Sequence, residues 1–324
     1  MRGPGTHQGK TQSRKFSCDG TDPWSAPGTG GYLTGYWWSE RIGSGYTHGY
    51  EIELLLEERT PFQNMLIFEN AQWGKGLILD GIVQVTEGDE FIYHEMMVHV
   101  PVLGRREATR SVLIIGGADG CVLREIQRYD SVREIVQVEL DEAVLRACRK
   151  YLPELGGDWH DPRLELVIGD GAEYVRNAAE SGRKFDLIIL DSTDPIGPAI
   201  VLFEPPFHRD LAACLTDTGV IVRQSGLPVT MPRVMPFIRN RFLDVLPNVH
   251  VYLAPMPTYG GEIAFVTAAR EEAGDISTPS SDYTGRYYNP AIHSASFVLP
   301  TWWQELIDNF QDDGQVPIET KTYF

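Results

Sequence analysis

From Ser111 onward the sequence alternates short apolar runs with amphipathic stretches, and few folds accept that pattern. Ser111–Ile115, Ile135–Glu139, Leu164–Ile168, Leu187–Leu190 and Gly219–Arg223 read as strands, and Val122–Arg128 and Glu142–Tyr151 between them read as helices. Near-continuous Val/Ile/Leu runs are the mark of strands covered on both faces, so the expected core is a parallel sheet flanked by helices. The text before it is different. Tyr50 begins an alternating run, Asn64–Glu69 is β-rich, and Asp80-Gly81 stands between two apolar runs, a strong hairpin signal. Asp89 to Val100 then turns helical, with Ile92, Met96, Met97 and Val100 expected on one side. Residues 1–35 are rich in Gly, Ser, Thr and Pro without apolar periodicity and read as a disordered extension. The division expected is therefore 1–35 extension, 36–105 small N-terminal β-rich domain, and 106–324 Rossmann-like domain.

Composition excludes several classes of function. A formal net charge of -17 offers no basic stripe to displace counterions from nucleic acid, so a nucleic-acid partner is not expected. No apolar stretch approaches the roughly 20 residues that span a bilayer, and the start, MRGPGTHQGKTQSRKF, lacks the apolar region of a secretory signal. No membrane association and a cytoplasmic location are the expectations. Cys18, Cys121, Cys148 and Cys214 form no C-x-x-C pair and read as buried free thiols.

In such sheets ligands bind outside the carboxyl ends of the strands, and four successive strand ends here carry distinctive residues. The first runs into Gly116-Gly117-Ala118-Asp119-Gly120, whose glycines allow close backbone approach before a helix N-terminus. The second ends at Glu139, about 20 residues on, where a carboxylate accepts two ribose hydroxyls. The third ends at Gly169-Asp170-Gly171, with a carboxylate in reach of an adenine amino group. The fourth ends in DSTDPIGP, Asp191 to Pro198, whose two carboxylates exceed what a turn needs. No P-loop lysine follows the first turn, and Asp119 would repel a pyrophosphate. Adenosine bearing a cationic sulfonium fits these charges better than a nucleotide does.

The stretches FENAQWGKGLILDGIVQVTEGDEFIYHEMMVHVP, VLIIGGADGCVLREI, DLIILDSTDPIGPA and RYYNPAIHSASFVLP resemble the bacterial spermidine synthases, a branch of the polyamine aminopropyltransferase family. The resemblance implies an α/β fold, with a Rossmann-like domain of the S-adenosylmethionine type behind a small N-terminal β-sheet domain. It implies a homodimer or homotetramer and a small polyamine as the partner molecule. The implied reaction moves an aminopropyl group from the co-substrate decarboxylated S-adenosylmethionine to an amine, putrescine by default, and releases methylthioadenosine without a metal. Gln63, Glu139, Asp170, Gly171 and Pro198 match positions that hold the donor's adenosyl moiety. His94, Asp119, Asp191, Ser192, Thr193 and Asp194 match those holding the amine. Asp191 matches the proton acceptor, and Tyr93 and Tyr259 match aromatic positions lining the amine channel. Asp119 is also expected to choose the donor, attracting the bare aminopropyl ammonium and repelling the carboxylate of S-adenosylmethionine.

The runner-up is an S-adenosylmethionine-dependent amine N-methyltransferase, whose plant members share much of this motif set. A nicotinamide dehydrogenase fits less well, because Ala118 and Cys121 break the G-x-G-x-x-G spacing. From another class, an inactive polyamine- or nucleoside-binding protein would not need both Asp191 and Asp194. His94 and His99 nearly form the zincin pair H-E-x-x-H, yet five positions put them about 140° apart on a helix, so no metal is expected there. Trp37-Trp38 and Trp302-Trp303 read as packing, and Tyr287-Tyr288-Asn289-Pro290 as a turn. The chain departs from its resemblance at Ala118 for a glycine, at Gly88 for an arginine, and in a one-residue shortening around Tyr259 that introduces Glu262. The shortening would pull the loop back and open the channel. Glu262 then faces either solvent or the acceptor.

Overall fold

The computed structural model describes residues 36–43, 46–193, 195 and 197–317. The reading of residues 1–35, and Cys18 with it, lies outside them. Five antiparallel strands form a meander in the order β1 (Tyr36–Gly43), β2 (Tyr46–Arg59), β3 (Asn64–Asn70), β4 (Gly74–Leu79) and β5 (Ile82–Thr86). The Asp80-Gly81 hairpin forms as its sequence requires. Both residues have positive φ, 45° and 86°, the pair of left-handed conformations that a two-residue turn needs to follow the strand twist. Asp80 helps hold the turn by accepting the Asn64 N–H at 2.8 Å.

A second sheet of seven strands has the order β11-β12-β10-β9-β6-β7-β8. Its members are β6 (Ser111–Gly116), β7 (Glu134–Glu139), β8 (Leu164–Ile168), β9 (Phe185–Asp191), β10 (Leu215–Gln224), β11 (Asn248–Met256) and β12 (Gly261–Ala269). Strands β6 to β10 are parallel, as the alternation predicts. Strands β11 and β12 are an antiparallel pair added beyond β10. Only the short segment Pro257–Gly260 joins them, too short for the crossover of a dozen residues that a parallel pair needs.

Side-chain alternation divides the core. Val112 and Ile114 of β6, with Leu187 and Ile189 of β9, face one layer containing α1 (Glu90–Gly104), α2 (Cys121–Gln127) and α7 (Pro290–Ser296). Leu113, Ile115, Ile188 and Leu190 face the other, containing α4 (Gly171–Ser181), α5 (Pro205–Ala213), α6 (Val234–Leu243) and α8 (Thr301–Asp308). Each such side chain contributes about 1.5–3 kcal/mol by leaving water. Met65, Ile67, Leu77 and Leu79 of the first sheet pack on Val144, Leu145 and Cys148 of α3 (Glu142–Tyr151), and residues of both sheets line the cleft beside them.

Three expectations are corrected. Helix α1 is not one-sided, since every residue from Ile92 to Gly104 is buried. It lies between the second sheet, α2 and the segment near Ile276, so all its faces meet protein. The Tyr287–Pro290 segment does more than turn. Glu95 of α1 accepts the backbone N–H groups of Arg286, Tyr287 and Tyr288, each at 2.7 Å, and Asn289 caps α7. The tryptophans divide: Trp303 is fully buried, whereas Trp37 is 69% exposed. Cys121, Cys148 and Cys214 are buried and free.

Candidate active site

The order of the parallel strands reverses between β6 and β9, and a cleft opens there at their carboxyl ends. It encloses a cavity of about 250 Å³, walled on the other side by β4, β5 and the β2–β3 loop.

The glycine loop after β6 is built against Asp191. Gly116 pairs with Asp191 across the parallel ladder. A Cβ on Gly116 would lie 2.1 Å from the Asp191 carbonyl, and its φ of 87° also favours glycine. The N–H of Gly117 donates to the same carbonyl at 3.1 Å. Gln137, fully buried on β7, ties the loop further by donating to the carbonyls of Gly116 (3.0 Å) and Gly117 (2.7 Å). Ala118 has no positive φ, so its methyl fits without backbone strain and simply lines the cavity.

Of the expected donor residues, Gln63, Asp119, Glu139, Asp170 and Gly171 all line the cavity. Pro198 lies in the short 3₁₀ turn Gly197–Phe203, and its side chain is outside the described residues, as is Asp194. Glu139 is buried; burial and the Asp141 charge push its carboxyl up to about 7, against the Asp141 N–H that it accepts at 2.8 Å. Asp170 caps α4, accepting from the N–H groups of Ala172 (2.7 Å) and Glu173 (3.1 Å), which leaves its second oxygen on the exposed side of the cleft. Gln63 is positioned from the other sheet. Its amide donates to Asp141 at 3.1 Å, and Thr60 donates to the same carboxylate oxygen at 2.6 Å.

Tyr93, His94, Asp119, Asp191, Ser192, Thr193 and Tyr259 converge at the other end. The Tyr93 hydroxyl donates to Asp191 Oδ1 at 2.8 Å. Burial raises the Asp191 carboxyl, Asp119 beside it raises it further, and His94 and Tyr93 pull back, leaving it at about 6. Burial would lower His94, but Asp119, Glu90 and Asp191 outweigh it and hold the imidazole up at about 9. His94 Nδ1 meets both the carbonyl and the carboxylate of Glu90 at 2.8 Å, and Nε2 lies 3.9 Å from Asp119 Oδ2. Glu90 accepts from both terminal guanidinium nitrogens of Arg124 at 3.0 Å. Burial opposes ionisation of Glu90, yet His94 and Arg124 bring it down to about 2. His99 points elsewhere on α1, 3.2 Å from Glu125, as the five-residue spacing requires.

The shortened loop is not pulled back. Buried Asp89 accepts from the N–H (2.9 Å) and hydroxyl (2.7 Å) of Thr258 and from Thr86 at 2.7 Å. Tyr259 donates to the Gln84 carbonyl and Tyr50 to the Thr258 carbonyl, so the first sheet holds the loop over the cavity. Glu262, the second residue of β12, is exposed and does not line the cavity. Of its two readings, the solvent-facing one holds.

Sequence reasoning missed Glu40, a buried carboxylate of β1 that lines the cavity, and the supporting residues Glu90, Asp89, Asp141 and Gln137. Glu90 and Asp141 had a legible signal, each an acid opening a helix, but such acids usually only cap. Gln224 also lines the cleft and donates to the Ser192 carbonyl at 3.0 Å. Two groups have metal-ligand spacing among the described residues, His94–Asp119–Asp191 and Glu90–His94–Cys121, each with ligand atoms within 4.8 Å of one another.

Residues 90–277 match the spermine/spermidine synthase domain, and residues 36–87 match the spermidine synthase tetramerisation domain. The polyamine aminopropyltransferase of Thermoanaerobacter pseudethanolicus is 42% identical over 261 residues, 79% of this chain and 92% of that one. That of Serratia proteamaculans is 42% identical over 276 residues, 82% and 95% of the two chains. Among solved structures, a spermidine synthase in complex with the transition-state analogue AdoDATO aligns with a TM-score of 0.79 at 34% identity, covering 85% of this chain and 96% of that one. The spermidine synthase of Thermotoga maritima aligns with a TM-score of 0.77 at 32% identity, covering 85% and 95%.

Proposed function

The chain belongs to the spermine/spermidine synthase family, and we propose that it transfers the aminopropyl group of decarboxylated S-adenosylmethionine to a polyamine, with putrescine as the acceptor. The observation that carries this reading is the meeting of Asp119 and Asp191 where the glycine loop ends. A donor with its ribose on Glu139 and its adenine toward Asp170 and Gly171 would lay its three-carbon arm there, with the terminal ammonium on Asp119.

Asp191 is the base. An amine arrives protonated and cannot attack; a carboxyl raised to about 6 is ionised near neutrality yet basic enough to take the proton. Tyr93 keeps the acceptor oxygen aimed, because burial and Asp191 hold its own hydroxyl protonated. The freed nitrogen pair attacks the carbon beside the sulfonium and the carbon–sulfur bond breaks. Sulfur takes the bonding pair, and methylthioadenosine leaves as a neutral thioether. The sulfonium supplies the activation, and the protein supplies proximity and charge. Asp194, Tyr259 and Glu40 serve the far end of the amine, where a carboxylate would pair with the second ammonium. The N-terminal sheet, with Trp37 exposed on β1, serves assembly into a homotetramer.

Donor choice tests this reading. Calorimetry should find decarboxylated S-adenosylmethionine bound much more tightly than S-adenosylmethionine, and Asp119→Ala should shrink the gap; equal affinities in the unaltered chain would contradict the role of Asp119. Glu262, being exposed, should have no part in acceptor choice. Glu262→Gln is expected to leave kcat/KM unchanged for putrescine, agmatine and a triamine alike, and a selective loss with any one of them would contradict this.

A further inference from the structure

We propose that His94, Asp119 and Asp191 also form a binding site for a single divalent transition-metal ion, zinc or cobalt(II), that excludes the amine and so inhibits the enzyme. The three residues present one ligand atom each within 4.8 Å of one another, facing the cavity. One imidazole and two carboxylates with an open fourth position is a ligand set that such ions accept. Its charge of two negatives, with the imidazole neutral, matches a divalent cation.

Each of the three also has the outer support that metal ligands have. His94 is 3% exposed, and its Nε2 makes no hydrogen bond, only the 3.9 Å approach to Asp119. Its other nitrogen is held at 2.8 Å by the Glu90 carboxylate and carbonyl, and Glu90 is itself locked by Arg124. That is the carboxylate–histidine arrangement that fixes ring orientation in zinc sites. Asp119 has Oδ1 tied to the Cys121 N–H at 2.8 Å, which leaves Oδ2 on the His94 side. Asp191 has Oδ1 tied to Tyr93 at 2.8 Å, which leaves Oδ2 toward Gly117. An ion entering there takes the place of the proton on Nε2, which leaves to solvent. The second trio, Glu90–His94–Cys121, is closed by comparison, since Glu90 and Nδ1 already bond each other. Mutual exclusion with the amine rests on the proposed acceptor site, whereas metal binding rests only on the geometry.

Cobalt(II) should therefore be titrated into the substrate-free, full-length chain and followed by visible absorption and calorimetry. One equivalent per chain is expected, with the intense bands of a four- or five-coordinate ion. His94→Gln and Asp119→Asn, each first shown to unfold at the unaltered temperature, should lose the bands. Glu90→Gln, which keeps all three ligands, should weaken binding roughly 10–100-fold. Bands absent from the unaltered chain, or undiminished in both ligand variants, would overturn the site. Added putrescine should displace the ion, and zinc should raise KM for the amine, and for the donor whose ammonium shares Asp119, without lowering kcat. Cobalt that stays bound under saturating putrescine would overturn the exclusion and leave the metal site to be judged by the first arm.

Discussion

Asp191→Asn should lower kcat roughly 10²–10⁴-fold, the contribution of a positioned base, while the donor still binds with nearly unaltered affinity. The asparagine keeps the shape that the glycine loop is built around, since the loop's hydrogen bond goes to the Asp191 carbonyl, which the substitution leaves in place. The unaltered enzyme should in turn lose kcat/KM as pH falls through about 6, because Asp191 is then protonated and cannot accept the amine's proton. The asparagine variant should not show that limb. Near-normal turnover at neutral pH in the variant would remove Asp191 from the mechanism.

Glu139→Gln should weaken donor binding by about 2 kcal/mol, roughly 30-fold, because hydrogen bonds from the ribose hydroxyls to a charged acceptor become neutral ones. The same variant should not be less stable when empty. Burial raises the Glu139 carboxyl from 4.5 to about 7, so the folded protein holds this proton more tightly than the unfolded chain does. A raised carboxyl therefore contributes stability only while protonated, and that contribution fades as pH climbs from about 4.5 through 7. At pH 8 the ionised group costs up to about 3 kcal/mol, which a neutral glutamine avoids. Thermal unfolding at pH 8 should give the ligand-free variant a Tm equal to or above that of the unaltered chain. A markedly lower Tm, or unweakened donor binding, would contradict this account of Glu139.

Much of this site is legible in the sequence because it hangs on strand ends. Ser111–Ile115 and Leu187–Leu190 announce themselves as buried parallel strands, and the residues at the carboxyl end of such a strand must line the cleft. That logic brings Asp119, Glu139, Asp170 and Asp191 to one cavity from residues far apart in sequence. Gln63, Tyr93, His94 and Tyr259 needed the family resemblance, since nothing in their own spacing distinguishes them from packing residues. The β11–β12 hairpin was illegible by the alternation rule because no helix separates its strands.

The supports were harder still. Asp89 reaches Thr258 across 169 positions, and Thr60 reaches Asp141 across 81. Neither bond leaves any periodic trace, because its partner is chosen by the packing of two sheets. The expectation of an open channel failed for this reason. Loop length alone says that the Tyr259 segment is short, but Asp89, Tyr50 and Gln84 on other elements decide where it lies. Glu90 shows the same limit, since its sequence position suggests a cap while its contacts tie His94 to Arg124.

Aminopropyl and methyl transfer leave different nucleosides, so the nucleoside product identifies the reaction. The purified chain should be incubated with putrescine and either decarboxylated S-adenosylmethionine or S-adenosylmethionine, and the products separated by chromatography. Methylthioadenosine and spermidine in equal amounts, from the decarboxylated donor alone, is the predicted result. S-adenosylhomocysteine with a methylated amine would show methyl transfer instead, and neither product from either donor would contradict aminopropyl transfer to putrescine.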